Sequence, residues 1–172
     1  VVSATGQELT VRQGSAKGYH PGRTAELFVG VTSIGFAGEL APTLASAKDL
    51  PRRVAVLEID LDVLYSSAPD VRQASPIFGY PAATQDLSLL VGLEVPAGDV
   101  LKAIENGAGD LLEQVRLIED YRGENLPEGQ KSLTFALRFR ATDRTLTQVE
   151  ASVSRDAAVA LAGQLFGATI RA

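Results

Sequence analysis

The sequence contains no cysteine, no methionine and no tryptophan, and its one histidine is His20. Without cysteine, disulfides and thiolate metal sites are excluded, and a cytoplasmic location is expected. One histidine is too few for a typical zinc site and argues against a Ser-His-Asp triad. We interpret His20, in "HPGR", as a structural residue. Because methionine is missing even at position 1, we expect the chain to be a fragment of a longer protein.

Long apolar runs are also missing. No run approaches the roughly 20 residues that span a bilayer, and no signal peptide or lipidation motif is visible. The 172 residues are 45% hydrophobic and 22% charged, as in a globular protein of one large domain or two small ones. The net charge is -5, yet the segment 131–147, "KSLTFALRFRATDRTLT", carries four basic residues and a single acid, Asp143. This basic strand in an acidic chain raises the question of whether it has a function.

A segment rich in Ser, Ala and Pro, residues 66–78, is predicted to be a linker between two domains. Before it, 26–40 reads as two strands joined by a turn at Gly30. A short helix follows, and then a strand at 53–61 that is apolar at nearly every position, which predicts cover on both faces. Residues 1–65 are therefore expected to form part of an α/β domain with an antiparallel sheet.

The segment 79–172 has a regular order of predicted elements, β-α-β-β-α-β, which is the ferredoxin-like arrangement of an α+β fold. Asn106-Gly107 is expected to end its first helix. Thr147 and Glu150 form a capping box that opens the second helix. The helical spacing predicts that this second helix buries a stripe made of Val149, Val153, Ala157, Ala160, Leu161 and Leu165.

Both predicted helices cover one face of the sheet, and we call the other the helix-free face. Strand alternation turns four apolar residues of the third strand towards the helices: Leu133, Phe135, Leu137 and Phe139. It turns Ser132, Thr134, Ala136, Arg138 and Arg140 to the helix-free face. In the first strand, Leu87, Leu89 and Val91 point inward, and Asp86, Ser88 and Leu90 point outward. In the second strand, alternation leaves open whether Glu119, which shares its parity with Tyr121, or Asp120 points outward.

Hydroxyls, an aromatic ring and arginines on one sheet face are typical of surfaces that bind single-stranded RNA. A solvated strand face has a similar composition, so the pattern alone leaves both interpretations open.

Several motifs carry a resemblance to a known family. They are "FGYPAATQDLSLLV", "YRGENLPEGQKSLTFALRFRATDRTLT" and "FGATIR", preceded by "HPGR", "IGFAGELAP" and "LPRRVAVLEIDLDVL". In this order and spacing the chain resembles the C-terminal part of the bacterial phenylalanyl-tRNA synthetase β subunit. The resemblance implies that residues 1–65 are the end of an inactive synthetase-like domain. It also implies that residues 79–172 are a ferredoxin-fold anticodon-binding domain.

The resemblance also implies a function. Members of this family work as α2β2 tetramers that attach phenylalanine to tRNA(Phe) with ATP and Mg²⁺, and the α subunit carries the catalysis. The fragment itself is then expected to have no catalytic residue, metal site or cofactor. By position in the motifs, Tyr121 stacks on the first anticodon base, Glu119 and Ser132 hydrogen-bond to it, and Ser88 lies against it. The family usually has aspartate where this chain has Glu119.

The basic strand fits the same hypothesis, with Arg138, Arg140 and Arg144 available for phosphates, since RNA responds to local rather than net charge. A competing hypothesis is a ferredoxin-like regulatory or protein-interaction module. That class would favour exposed aliphatic residues on the helix-free face, where this chain has Ser, Thr and Arg. A self-sufficient enzyme is disfavoured, because the sequence has no nucleophile-base pair, metal cluster or nucleotide-binding loop.

Overall fold

The computed structural model describes residues 2–68 and 79–171, with the backbone alone for Ser3. The chain divides into two compact units, Val1–Ser75 and Pro76–Ala172. Most of the predicted linker, residues 69–78, lies outside the described residues.

The first unit is a four-stranded antiparallel sheet in the order β1-β2-β3-β4. The predicted hairpin at 26–40 is confirmed: Val29 pairs with Thr32 across a turn whose Gly30 has a φ of 58°. β1 and the helix α2 were not predicted; Asp60 caps α2 by accepting a hydrogen bond from the Val63 amide at 3.0 Å. The elements are a 3-10 helix Val2–Thr5, β1 Leu9–Gln13, β2 Tyr19–Val29, β3 Thr32–Leu40, α1 Pro42–Ala47, β4 Ala55–Ile59 and α2 Leu61–Ser66.

The prediction that the strand at 53–61 is covered on both faces is wrong. Its observed form, β4, is an edge strand that, among the described residues, pairs only with β3, and Leu57 is 61% exposed. The buried apolar core of this unit consists of Val2, Leu27, Ile34 and Leu64. Within β4, Val56 and Ile59 are half-buried and the other three residues are exposed, so apolar composition alone overstated the burial of this strand.

His20 lies in the first unit and serves local structure, as its place in "HPGR" predicted. Its Nδ1 accepts a hydrogen bond from the Gly22 amide at 3.1 Å, and its Nε2 lies 2.8 Å from the Arg23 guanidinium. Arg23 also pairs with Glu39 at 3.1 Å. These contacts brace the start of β2 against β3.

The second unit has the predicted order β-α-β-β-α-β, and its α+β ferredoxin-like class is confirmed. All its strands pair antiparallel, in the order β6-β7-β5-β8. The elements are β5 Ala83–Gly92, α3 Ala97–Ala108, a 3-10 turn Gly109–Leu111, β6 Leu112–Tyr121, β7 Gln130–Phe139, α4 Gln148–Phe166 and β8 Thr169–Ile170.

The core of this unit lies between the sheet and its two helices. The inward residues predicted for both central strands are confirmed as buried: Leu87, Leu89, Val91, Leu133, Phe135, Leu137 and Phe139. Val100 and Ile104 of α3 are buried against them. The capping box is also confirmed, since Thr147 and Glu150 hydrogen-bond to each other's backbone amides at the start of α4.

The predicted end of α3 at Asn106-Gly107 is wrong. The helix continues to Ala108 and ends at Gly109, which has a φ of 70°. Gly107 serves packing instead, because a Cβ atom there would lie 2.8 Å from the Cα of Ala158 in α4. Its missing side chain lets the two helices approach closely.

The predicted buried stripe of α4 is also wrong. Val149 and Val153 are 72% and 64% exposed, and Leu165 and the other three predicted residues are exposed or half-buried. The buried face instead carries Ala151, Ser154, Ala158 and Ala162, and the Ser154 hydroxyl donates to the Ala108 carbonyl. Close helix contact selects small side chains, and this selection outweighs the hydrophobicity of Val149, Val153 and Leu165.

Candidate nucleic-acid interface

Two rows of side chains cross the helix-free face of the second unit. In one row Ser88 of β5 pairs with Thr134 of β7, which pairs with Glu119 of β6. In the next row Leu90, Ser132 and Tyr121 pair in the same way. Directly paired residues of an antiparallel sheet point to the same face. The sheet register therefore brings Ser88, Glu119, Ser132 and Tyr121 together on the face opposite the helices.

An irregularity in β6 decides which acid points to this face. The register of β6 against β7 shifts between Leu117 and Glu119. After the shift Glu119 lies across from Thr134, while Asp120 lies across from the helix-facing Leu133. A β-bulge reverses the alternation that the sequence suggests. Glu119 is therefore the acid on the helix-free face.

Asp120 forms ion pairs with neighbouring cations. Arg122 donates to its carboxylate at 2.9 and 2.8 Å, and the Lys131 ammonium lies 4.0 Å away. The Arg122 hydrogen bond lowers the pKa of Asp120 against the opposing effect of burial. Burial lowers the pKa of Lys131. This group ties the end of β6 to the start of β7.

Tyr121 is held between two residues that the sequence had not assigned to the site. A Cβ atom on Gly123 would overlap the phenol oxygen and ring of Tyr121. The guanidinium carbon of Arg171 lies 5.2 Å from the ring centroid, within the range of a cation–π contact. The "Tyr-x-Gly" motif could have identified Gly123 from the sequence. Arg171 could not be identified in this way, because it reaches the site only through its position next to β8.

Ser132 lies on the predicted face but is not open to solvent. It is 0% exposed, and its hydroxyl has no hydrogen-bond partner among the described residues. Ser132 therefore points to the predicted face but is covered by its surroundings. Tyr121 and Leu90 flank it on the neighbouring strands. In the next row, the hydroxyls of Ser88 and Thr134 form a hydrogen bond of 3.0 Å.

The arginines of the basic strand are paired with acids. Arg138 and Arg140 both donate to Glu113 of β6, at 2.6 and 3.1 Å. The Arg140 side chain is only 10% exposed and also donates to the Tyr80 carbonyl. Burial raises the pKa of Glu113, but the hydrogen bonds from Arg138 and Arg140 outweigh it and lower that pKa below its usual value. Arg140 is thus built into the fold, and Arg138 is the more exposed of the two.

Arg144 lies beyond the sheet, before α4. It pairs with Asp143 at 3.0 Å and with Glu150 of the capping box at 2.7 Å. These contacts hold the entrance to α4. Within residues 2–68 and 79–171 there is no group of three His, Cys, Asp or Glu residues suited to a metal ion.

Sequence comparison adds a decisive observation. Residues 79–171 match the sequence model of the ferredoxin-fold anticodon binding domain. The chain belongs to this family. Residues 1–61 match a second model, that of the phenylalanyl tRNA synthetase beta chain CLM domain. The anticodon-binding domain thus coincides with the second unit of the fold.

Curated relatives match nearly the whole chain. The chain is 58% identical to the phenylalanine–tRNA ligase beta subunit of Leifsonia xyli, over 98% of this chain and 20% of that protein. Identity to the beta subunits of Streptomyces avermitilis and Corynebacterium jeikeium is 48% and 45%, over 96% and 100% of this chain and 20% of each relative. The chain therefore spans about a fifth of the length of these relatives. Across the described part of the chain, no helix is long and apolar enough to cross a membrane.

Proposed function

We propose that the helix-free face of the second unit binds the anticodon of tRNA(Phe). The observation that carries the proposal is the sheet register, in which Glu119 and Tyr121 of β6 lie beside Thr134 and Ser132 of β7. An acid, an aromatic ring and a serine on one sheet face supply both stacking and hydrogen bonds to a single unpaired base. Membership of an anticodon-binding family supports the same assignment.

Each residue has its own part in this proposal. Tyr121 stacks on the first anticodon base, a contact that tolerates any base. Glu119 accepts hydrogen bonds from N1 and N2 of guanine, which adenine does not offer in that pattern. Ser132 hydrogen-bonds to the same base, and Ser88 lies against it. Arg138 faces the RNA backbone, whereas Arg140 acts by holding Glu113 and the edge of the sheet in place.

We further propose that the chain is the C-terminal part of a phenylalanyl-tRNA synthetase β subunit. Such a subunit pairs with an α subunit in an α2β2 tetramer and supports ATP-dependent attachment of phenylalanine to tRNA(Phe). The similarity to ligase beta subunits over nearly the whole chain supports this. We assign ATP, Mg²⁺ and catalysis to the rest of the enzyme, as the family resemblance implies.

A binding titration tests the anticodon assignment. The 172-residue chain is titrated with tRNA(Phe) and with a copy whose first anticodon base is adenine. We expect a preference for guanine of roughly 5- to 150-fold, since good pairs of hydrogen bonds discriminate by about 1–3 kcal/mol. Tyr121→Ala weakens binding of both RNAs, and Glu119→Gln reduces the preference.

The matched control is Glu124→Gln, which removes the same charge from the loop after β6 and should leave the preference unchanged. Equal binding of the two RNAs by the unmodified chain contradicts the proposed function. A full preference in Glu119→Gln contradicts the role of Glu119 in reading the base.

A second function, contact with another protein, is favoured by one observation. Val149 and Val153, about one turn apart on α4, are both exposed apolar side chains. They lie on the helix side of the sheet, away from the proposed RNA site, so both functions are compatible. Val149→Ser with Val153→Ser should weaken a protein contact and leave RNA affinity unchanged. Weaker RNA binding in this double variant would place the RNA on the helix side instead.

A further inference from the structure

We propose that Arg171 is an additional RNA-binding residue, which stacks on the outer face of the anticodon base that rests on Tyr121. The inference rests on the proposed function of the helix-free face. It goes beyond that function because it names a second stacking partner and a movement that admits the base.

The backbone places Arg171 on the correct face. Its amide donates to the Ser88 carbonyl at 2.9 Å, continuing the pairing in which Thr169 lies across from Leu90. Ser88 and Leu90 both point to the helix-free face. By alternation, Arg171 and Thr169 point there as well.

Arg171 and Tyr121 meet above the middle of the sheet. They lie on the two outer strands, β8 and β6, with β5 and β7 between them. Strands in a sheet are about 4.8 Å apart, so roughly 14 Å separates the two backbones. Because the guanidinium lies 5.2 Å from the ring centroid, both side chains extend over the central strands. Ser132, which pairs with Tyr121 on the neighbouring strand, is completely buried.

The buried hydroxyl of Ser132 is a second, independent observation. It has no hydrogen-bond partner among the described residues, and an unsatisfied buried polar group is unfavourable. Ser132, paired with Tyr121 on the neighbouring strand, thus offers a polar atom that is ready to bond with a ligand. A base inserted between Arg171 and Tyr121 brings donors and acceptors close to that atom.

The movement required is small and falls on one residue. Optimal contact between stacked atoms is about 3.5 Å, so a base between ring and guanidinium needs a gap of about 7 Å. The existing separation is 5.2 Å, which leaves about 2 Å to be opened. Tyr121 is backed by the main chain at Gly123, whereas Arg171 is long and flexible. The base therefore enters by moving Arg171, whose planar guanidinium then stacks on it.

The experiment titrates the 172-residue chain and its variants with tRNA(Phe). We expect Arg171→Ala to weaken binding about tenfold, as one lost stacking contact does. Arg171→Lys keeps the charge but lacks the planar group, so it should bind nearly as weakly as Arg171→Ala. Arg116→Ala removes the same charge from the same sheet face, opposite Ala136, and should weaken binding much less.

A double-mutant cycle gives the sharpest result. If the two residues hold one base between them, Arg171→Ala should cost much less in a Tyr121→Ala background than in the unmodified chain. Additive losses, or full recovery of affinity by Arg171→Lys, would overturn the proposal. Thermal unfolding of each variant checks that the fold is intact.

The outcomes separate the two levels of the proposal. If the unmodified chain binds tRNA(Phe) and its adenine copy equally, the proposed function fails. If the unmodified chain prefers guanine but Arg171→Ala binds as tightly as it does, only the role of Arg171 fails.

Discussion

Gly107 of α3 and Ala158 of α4 are in direct contact through their main chains. A Cβ atom on Gly107 would lie 2.8 Å from the Ala158 Cα and 3.1 Å from the Ala157 carbonyl oxygen. This contact fixes the spacing of the two helices that cover the sheet. These helices cover one face of the sheet, and the proposed site lies on the other.

Replacing Gly107 tests this packing. Gly107→Ala should lower the free energy of unfolding by about 1–3 kcal/mol, because overpacking outweighs the better helix propensity of alanine. Gly98→Ala in the same helix is the matched control, since a Cβ atom there meets nothing within 4 Å. It should be neutral or stabilise by up to about 1 kcal/mol. Urea unfolding measures both, and equal stability of the two variants would contradict the close helix contact.

Gly123 is predicted to position the ring of Tyr121. Gly123→Ala introduces a methyl group where the ring lies, so the ring must move away from its stacking position. We expect weaker binding of tRNA(Phe), with little change in the preference for guanine. Gly79→Ala is the control, because a Cβ atom there meets nothing within 4 Å. Unchanged affinity in Gly123→Ala would show that the ring position is not needed for binding.

Glu113 is predicted to restrain the positive charge of β7. Glu113→Gln weakens its ion pairs with Arg138 and Arg140 and leaves more free positive charge near the proposed site. Binding should become tighter for any RNA and more sensitive to salt, because each phosphate contact steepens the salt dependence. Asp110→Asn makes the same change in net charge beyond the sheet. If Glu113→Gln increases RNA affinity no more than Asp110→Asn does, Arg138 does not contact the RNA.

The capping box of α4 should give the domain a dependence on acid. The Thr147 amide, the Arg144 guanidinium and the Thr147 hydroxyl lower the pKa of Glu150 from 4.5 to about 2. Since the folded-state pKa is the lower one, the stabilisation is complete above about pH 4.5 and is lost as pH falls towards 2. Glu150→Gln should lack this part of the acid sensitivity, and Glu105→Gln on the exposed side of α3 should retain it. Thermal unfolding between pH 6 and pH 2 measures the difference, and identical pH profiles of all three proteins would contradict it.

The sequence predicted the second unit well where a single physical rule decides the outcome. Alternation along β7 identified the buried Leu133, Phe135, Leu137 and Phe139, and the Thr147–Glu150 spacing identified the start of α4. Helical spacing did not predict the buried face of α4, because contact with another helix decides which side chains fit there. Val149 and Val153 are more hydrophobic than Ala151 and Ala158, yet close contact with α3 buries the alanines.

Part of the proposed site followed from the sequence and part did not. Ser88, Ser132 and Tyr121 were assigned to one region by strand alternation and family resemblance. The choice between Glu119 and Asp120 depended on the bulge after Leu117, which alternation alone does not predict. Arg171 is 50 residues from Tyr121 in sequence, and only the sheet order brings the two side chains together.

The most direct test of the central claim is a map of amide chemical shifts in the chain during titration with an RNA hairpin that carries the tRNA(Phe) anticodon. We predict the largest shifts on the helix-free face, at Ser88, Glu119, Tyr121, Ser132 and Arg171. The outer face of α4, at Val149 and Val153, should remain nearly unchanged. Shifts concentrated on α4, with none at Tyr121 and Ser132, would contradict the account.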